Sequence, residues 1–281
     1  LLIGAAIWGL LWYPYRLLEQ DGISGQVATV ITYAVALALG LVLFQKSIRV
    51  SQIFAGDPQL LFWIAMFAGW TNMAYILGVI HGEVMRVLLL FYLAPLWTIL
   101  FARLLLNEKL SLHGYLLIAL SLIGAAPMLW QPESDFPLPS SHSDWMGLSG
   151  GIMFALMNVM IRKDQHHSIQ LKSLALWLGV MLVGLGHSLL LPAPFALTDI
   201  AAGSWLLMLA IGLVVFALSM TMQYGLTHIP ANRASVIMLF ELVVAAIAAY
   251  FLANEAMTLK EWVGGAMIVS ASLFSARMNR E

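Results

Sequence analysis

The 281-residue chain contains no cysteine. Disulfide cross-links, thiolate metal sites and cysteine nucleophiles are therefore excluded. Charge is almost as scarce, with Asp, Glu, Lys and Arg making up 10% of the residues, against about 25% in an ordinary soluble domain. A folded domain in water needs more polar surface than that. The formal net charge of −1 gives no basic field for nucleic acid. No GxxxxGK[ST] phosphate loop and no HExxH zinc motif occurs in the chain. The sequence points away from an ATPase or a zinc hydrolase, and from an enzyme generally, and it asks for no cofactor and no metal.

What is present is apolar side chain, at 62% of residues. Ten apolar runs follow one another, at about 2 to 19, 25 to 45, 59 to 79, 84 to 105, 112 to 130, 145 to 162, 169 to 191, 203 to 226, 231 to 252 and 259 to 277. Each is long enough to cross a bilayer, and none alternates with period two. Barrel strands are excluded, and only helices then satisfy every backbone group in lipid. The expectation is an all-α integral membrane protein of ten transmembrane helices. With both termini cytoplasmic, ten cations (Lys46, Arg49, Arg103, Lys109, Arg162, Lys163, Lys172, Arg233, Arg277, Arg280) fall inside and three (Arg16, Arg86, Lys260) outside. This is the positive-inside bias of an inner, plasma-membrane protein.

A shift of 147 positions aligns Gly78, His81, Arg86, Asn107 and Glu108 with Gly225, His228, Arg233, Asn254 and Glu255. The repeating unit is five helices, an odd number, so the second copy enters the membrane from the opposite side. The reading is two inverted repeats, 1–130 and 145–281, joined on the outer face by the Pro- and Ser-rich linker 131–144. Arg86 and Asn107 lie about 31 Å apart along a helix, one hydrocarbon thickness. His81, Arg86, His228 and Arg233 therefore occupy equivalent turns on opposite faces. Inverted halves of this kind commonly enclose a midplane site reached alternately from each side, which makes these four residues gate candidates.

The segments LFYLAPLWTILFARLLLNEKLS (90–111) and VIMLFELVVAAIAAYFLANEAMTLKEWVGGAMIV (236–269) resemble the paired EamA domains of the drug/metabolite transporter superfamily. The resemblance covers nearly the whole chain. Its most specific parts are the proline within helix four, the Asn-Glu ending helices four and nine, and the five-plus-five arrangement. The chain is most similar to bacterial amino acid exporters, with the YddG-type aromatic amino acid exporters first, while Glu241 in helix nine also resembles the threonine and homoserine branch. The second copy departs from the pattern at Leu242, where helix four has Pro95, so no kink carries over. The resemblance implies alternating-access export of a small-molecule substrate in the lipid bilayer, with helices three, four, eight and nine nearest the cavity.

Glu241 is the costliest residue in lipid and must face protein or a wet cavity. Its candidate roles are proton carrier or partner for a substrate ammonium, against a protonated glutamate bonded between helices. Trp8 and Trp12 form a stripe with Tyr15 and Arg16 on helix one, Asn72 and Tyr75 share a face of helix three, and Tyr92 with Pro95 a face of helix four. Aromatic walls suit a flat apolar substrate, whereas interface anchoring is the alternative for any Trp or Tyr. Asn158 and Gln223 are polar within apolar runs, placed either to hold a substrate's polar end or to bond a neighbouring helix. Asp164, His166 and His167 read as a solvated inner loop. Aliphatic amino acids and drug-like metabolites are the rival cargoes, and a non-transporting scaffold or receptor is the rival class.

Overall fold

The computed structural model describes residues 2–46, 48, 50–54, 56–107, 112–130, 139–190, 200–228 and 240–278. Its elements are helices: α1 (Leu2–Leu10), α2 (Trp12–Gln20), α3 (Gly25–Phe44), a short α4 (Val50–Ile53), α5 (Pro58–His81), α6 (Val84–Phe91), α7 (Ala94–Leu106), α8 (Leu112–Leu129), α9 (His142–Lys163), α10 (Ile169–Ser188), α11 (Ala202–His228), α12 (Phe240–Ala253) and α13 (Leu259–Met278). Six spans are long and apolar enough to cross a membrane: α3, α5, α6 with α7, α9, α10 and the Ala202–Thr221 part of α11. Shorter apolar helices cover Ile118–Pro127 and Phe240–Ala253. Leu41, Phe62, Leu104, Leu116, Leu182, Leu206, Ile247 and Phe251 are exposed, as a bundle solvated by lipid requires.

Two helices expected to be continuous are broken, both upstream of a proline. Pro14 has no N–H for the carbonyl of Leu10, and the chain turns at Leu11 between α1 and α2. Pro95 likewise leaves the carbonyl of Phe91 without its helical donor, and Tyr92 and Leu93 separate α6 from α7. α9 begins at His142, three residues before the expected start. There Ser141 and Asp144 form a reciprocal capping box.

Lipid tails are as apolar as leucine, so helices associate in a membrane through close packing and hydrogen bonds. α9 packs on α5, α6 and α7; α10 on α3 and α5; α3 on α11; α8 on α13; and α1 on α12. The closest approaches are at glycines. A Cβ on Gly147 or Gly151 would stand 2.7 or 2.5 Å from the carbonyl oxygen of Val87 or Phe91, and one on Gly179 would overlap the backbone of Ala65. Gly147-Leu148-Ser149-Gly150-Gly151 has the GxSxG spacing of a hydrolase nucleophile turn, but here it lies inside a continuous helix. Ser149 Oγ donates to the carbonyl of Met146 and accepts from Trp70 Nε1, and the glycines serve contact.

The two asparagines related by the 147-residue shift, Asn107 and Asn254, both hold φ at +55°. Asparagine tolerates this left-handed conformation better than other side chains and so ends each helix there. At the end of α9 opposite its capping box, Asp164 and His167 are buried rather than solvated. The Asp164 carboxylate accepts from the backbone N–H groups of His166 and His167 and from His167 Nδ1 at 2.8 Å, while His167 Nε2 reaches the carbonyl of Ile53 at 3.2 Å. Lys172 donates to the carbonyls of Ile161 and Asp164. The expected loop is a sealed corner because its polar groups satisfy one another.

Gly151→Leu is expected to lower thermal stability in detergent by about 1–3 kcal/mol or more. Gly186→Ala, where an added Cβ meets nothing within 4 Å, is expected to be neutral or slightly stabilising. Burial opposes ionisation of Asp164, but the hydrogen bonds from His167 and His166, with Lys172 nearby, outweigh it and hold the carboxyl below its ordinary range. Its contribution is therefore present at neutral pH and is lost as pH falls below the ordinary carboxylate range through the depressed value. Thermal melts from pH 7 to pH 3 should show the wild type converging on Asp164→Asn at the acid end.

Candidate functional site

Of the buried carboxylates among the described residues, Asp144, Asp164 and Glu261 lie at helix ends. Glu241 lies in the first turn of α12 as described, about 18 Å of helix from the far end at Ala253. Its side chain is 9% exposed, and its Oε2 accepts a 2.8 Å hydrogen bond from the Tyr92 hydroxyl. Tyr92 projects from the break that Pro95 imposes, so the broken helix places the donor. Gly9 provides the approach on the other side: a Cβ there would lie 2.6 Å from the carbonyl oxygen of Glu241. α1 and α12 meet backbone to backbone at the carbonyl of Glu241 and the N–H of Ala245.

Aromatic rings continue from this point. Tyr92 meets Phe91 edge to face at 6.3 Å, Phe91 meets Tyr75 edge to face at 5.8 Å, and Phe154 of α9 lies 5.4 Å from Phe91. The Tyr75 hydroxyl and the Trp12 indole N–H are buried without a hydrogen-bond partner. Each such group carries a desolvation cost that a polar ligand atom relieves. Trp12 is fully buried, and Trp8 packs half-buried against the same core.

The structure thus brings Trp8, Trp12, Tyr75, Tyr92 and Glu241 toward one region of the bundle. Asn72 is engaged elsewhere, accepting from the Tyr33 hydroxyl and donating to the carbonyl of Ala68 at 3.0 Å. Asn158 sits half-buried on α9, one turn beyond Phe154. Gln223 and His228 belong to the backbone of α11, but their side chains lie outside the described residues, and Arg233 lies wholly outside them. Arg86 holds Asp144 through two bonds, Nε to Oδ1 at 2.7 Å and Nη2 to Oδ2 at 2.9 Å. Asp144 also accepts from Ser140 and Ser141 at the start of α9, which makes Arg86 a fastener of α6 to α9. His81 is exposed, 3.7 Å from Glu19.

Residues not singled out from sequence complete the region. Phe91 and Phe154 are apolar residues in apolar runs and carry no distinguishing signal. Gly9 and Pro14 do carry one, since a glycine and a proline five residues apart in a spanning run mark a close contact and a break.

The sequence profile of the EamA-like transporter family matches residues 1–130 and again 142–277. The chain belongs to the EamA-like transporter family. An uncharacterized transporter of Archaeoglobus fulgidus is 30% identical over 215 residues, covering 76% of this chain and 75% of that relative. A protein of known crystal structure superposes with a TM-score of 0.61 at 17% identity, over 99% of this chain and 98% of the other, a likeness of fold alone. This EamA-like transporter is a multi-pass membrane protein with a two-repeat helical fold, a small-molecule substrate and lipid as its solvent. Members of its family generally move solutes and do not transform them.

The two tyrosines allow a direct test of the geometry. Tyr92→Phe strands the Glu241 oxygen and is expected to destabilise the solubilised protein by about 1–3 kcal/mol. Tyr75→Phe deletes a hydroxyl that has no partner and is expected to leave the thermal midpoint unchanged or raised.

Proposed function

We propose that this protein exports amphipathic amino acids, aromatic ones first, with Glu241 as the anchor for the substrate ammonium. The carrying observation is the Glu241–Tyr92 pair inside the bundle, set beside the Tyr75, Phe91 and Phe154 rings. A carboxylate with one donor retains lone pairs for an ammonium group. The edge-to-face rings favour a flat apolar side chain by about 0.5–1.5 kcal/mol per contact. Tyr75 Oη and Trp12 Nε1 offer unmet donors to the substrate carboxylate. Three chemically distinct walls then match the three parts of an aromatic amino acid. Asn158 is a second-rank contact in this reading.

The mechanism proposed is alternating access by two inverted five-helix halves, ten spans in all, in a bacterial inner membrane with both termini cytoplasmic. The 147-residue internal shift and the matching left-handed Asn107 and Asn254 support the two-half arrangement. A smaller cargo such as threonine would use the same ammonium anchor and leave the aromatic wall unused. Proton exchange at Glu241 would couple flux to a gradient.

Flux of labelled phenylalanine, tryptophan and threonine in proteoliposomes, with and without a pH gradient, tests the reading. Phenylalanine and tryptophan are expected to move faster than threonine. Glu241→Gln is expected to slow them by about tenfold to a hundredfold, the value of a charged hydrogen bond, with a thermal midpoint near that of the wild type. Threonine preference refutes the aromatic assignment. Absence of flux for every compound refutes the amino acid assignment, and gradient-driven flux lost in Glu241→Gln identifies a proton carrier.

A further inference from the structure

Arg16 makes more contacts than an interfacial anchor needs. It lies one turn beyond Trp12, with its guanidinium 4.9 Å from the Trp12 ring centroid. Its Nε donates to the carbonyl of Val79 at 2.8 Å and its Nη2 to that of Gly82 at 2.6 Å. Its Nη1 pairs with Glu255 Oε1 at 2.8 Å. Glu255, placed by the left-handed Asn254, turns its other oxygen to the N–H of Val84 at 2.7 Å. The cation thus caps the carbonyl end of α5 and the anion the amide end of α6, each matched to the local helix dipole. The pair joins residue 16 of the first half to residue 255 of the second.

We propose that the Arg16–Glu255 clasp is a gate that must open for substrate to pass at this end of the bundle. The inference rests on the transport reading above. Arg16, Trp12 and Gly9 follow one another down one stripe of the two-part first helix, and Gly9 packs on the backbone carbonyl of Glu241. Access to Glu241 along that stripe passes the clasp. A surface cavity of about 390 Å³, bordered by Arg16, Glu19, Gln20, Ile80, His81 and Gly82, lies at the same place. The neighbouring Arg86–Asp144 pair suits a permanent joint, because the Asp144 side chain is 2% exposed and separation would strand a buried charge. The Arg16 and Glu255 side chains are 18% and 20% exposed. Both partners reach water when they part, so separation leaves no charge as deeply stranded as Asp144 would be.

Because the chain has no cysteine, introduced thiols report without background. In the first arm, Val79→Cys, whose side chain is buried under the clasp, is alkylated by a hydrophilic maleimide in nanodiscs. Adding Glu255→Gln is expected to speed alkylation at least tenfold, and Glu255→Asp, which keeps the charge opposite Arg16, to speed it less. An unchanged rate overturns the proposal, and this arm reads the clasp whatever the cargo. In the second arm, Arg16→Cys with Glu255→Cys is joined by a short reducible bis-thiosulfonate, and amino acid flux is measured before and after reduction. A gate is jammed by the link, so flux is expected to fall at least tenfold and return with reductant. A merely structural clasp is replaced by the link, and flux that persists in the linked protein overturns the proposal. Wild-type protein that moves none of the amino acids overturns the cargo assignment instead, leaving the alkylation result to decide the gate.

Discussion

Hydrocarbon supplies no hydrogen bonds, so each polar group carried into the bilayer must be answered from within the protein. That constraint organises the molecule more than any apolar contact does. Glu241 is answered by Tyr92, Tyr15 by Thr32 at 2.8 Å, and Tyr33 by Asn72. At one bundle end Arg86 is answered by Asp144 and Arg16 by Glu255, and at the other Lys172 closes the carbonyl end of α9. The exceptions are informative for the same reason. Among the described residues Tyr75 Oη, Trp12 Nε1 and Trp97 Nε1 stay unanswered, and a ligand that supplies acceptors in the region of Glu241 would relieve the first two.

Close packing supplies the remaining stability. Gly147 and Gly151 admit the backbone of α6, including the Phe91 carbonyl that Pro95 leaves without a helical donor. Gly9 admits α12 at Glu241 in the same way. At Phe91 a break and a close contact coincide, because the proline-interrupted helix exposes a carbonyl and Gly151 lets α9 approach near enough to cover it. The candidate site is built at this coincidence.

Function divides along the same lines. Contacts with a carboxylate that is wholly buried, such as Asp144 with Arg86 and Asp164 with His167, fasten helices together, since separation would strand that buried charge. A pair at the water boundary is penalised far less. The Arg16–Glu255 pair bridges the halves at such a boundary, directly over the tryptophan that leads to Glu241.

Much of this was legible from residue order alone. Scarce charge and long apolar runs determined a helical membrane protein, because no other structure satisfies its backbone in lipid. The 147-residue shift determined the two-part plan, and the Asn-Glu pairs marked helix ends that prove to share one left-handed conformation. Glu241 and Tyr92 stood out because polar atoms in apolar runs are costly wherever they lie. Their pairing across 149 positions was decided only by the tertiary structure, as was the joining of Arg16 to Glu255 and not of Arg86 to a mobile partner. Phe91 and Phe154 were invisible in sequence for a related reason: in an apolar run every side chain reads alike, and which of them faces protein or lipid depends on the rotation of each helix against its neighbours. Local composition sets the cost of burying a group, and only packing across the bundle selects the partner that offsets it.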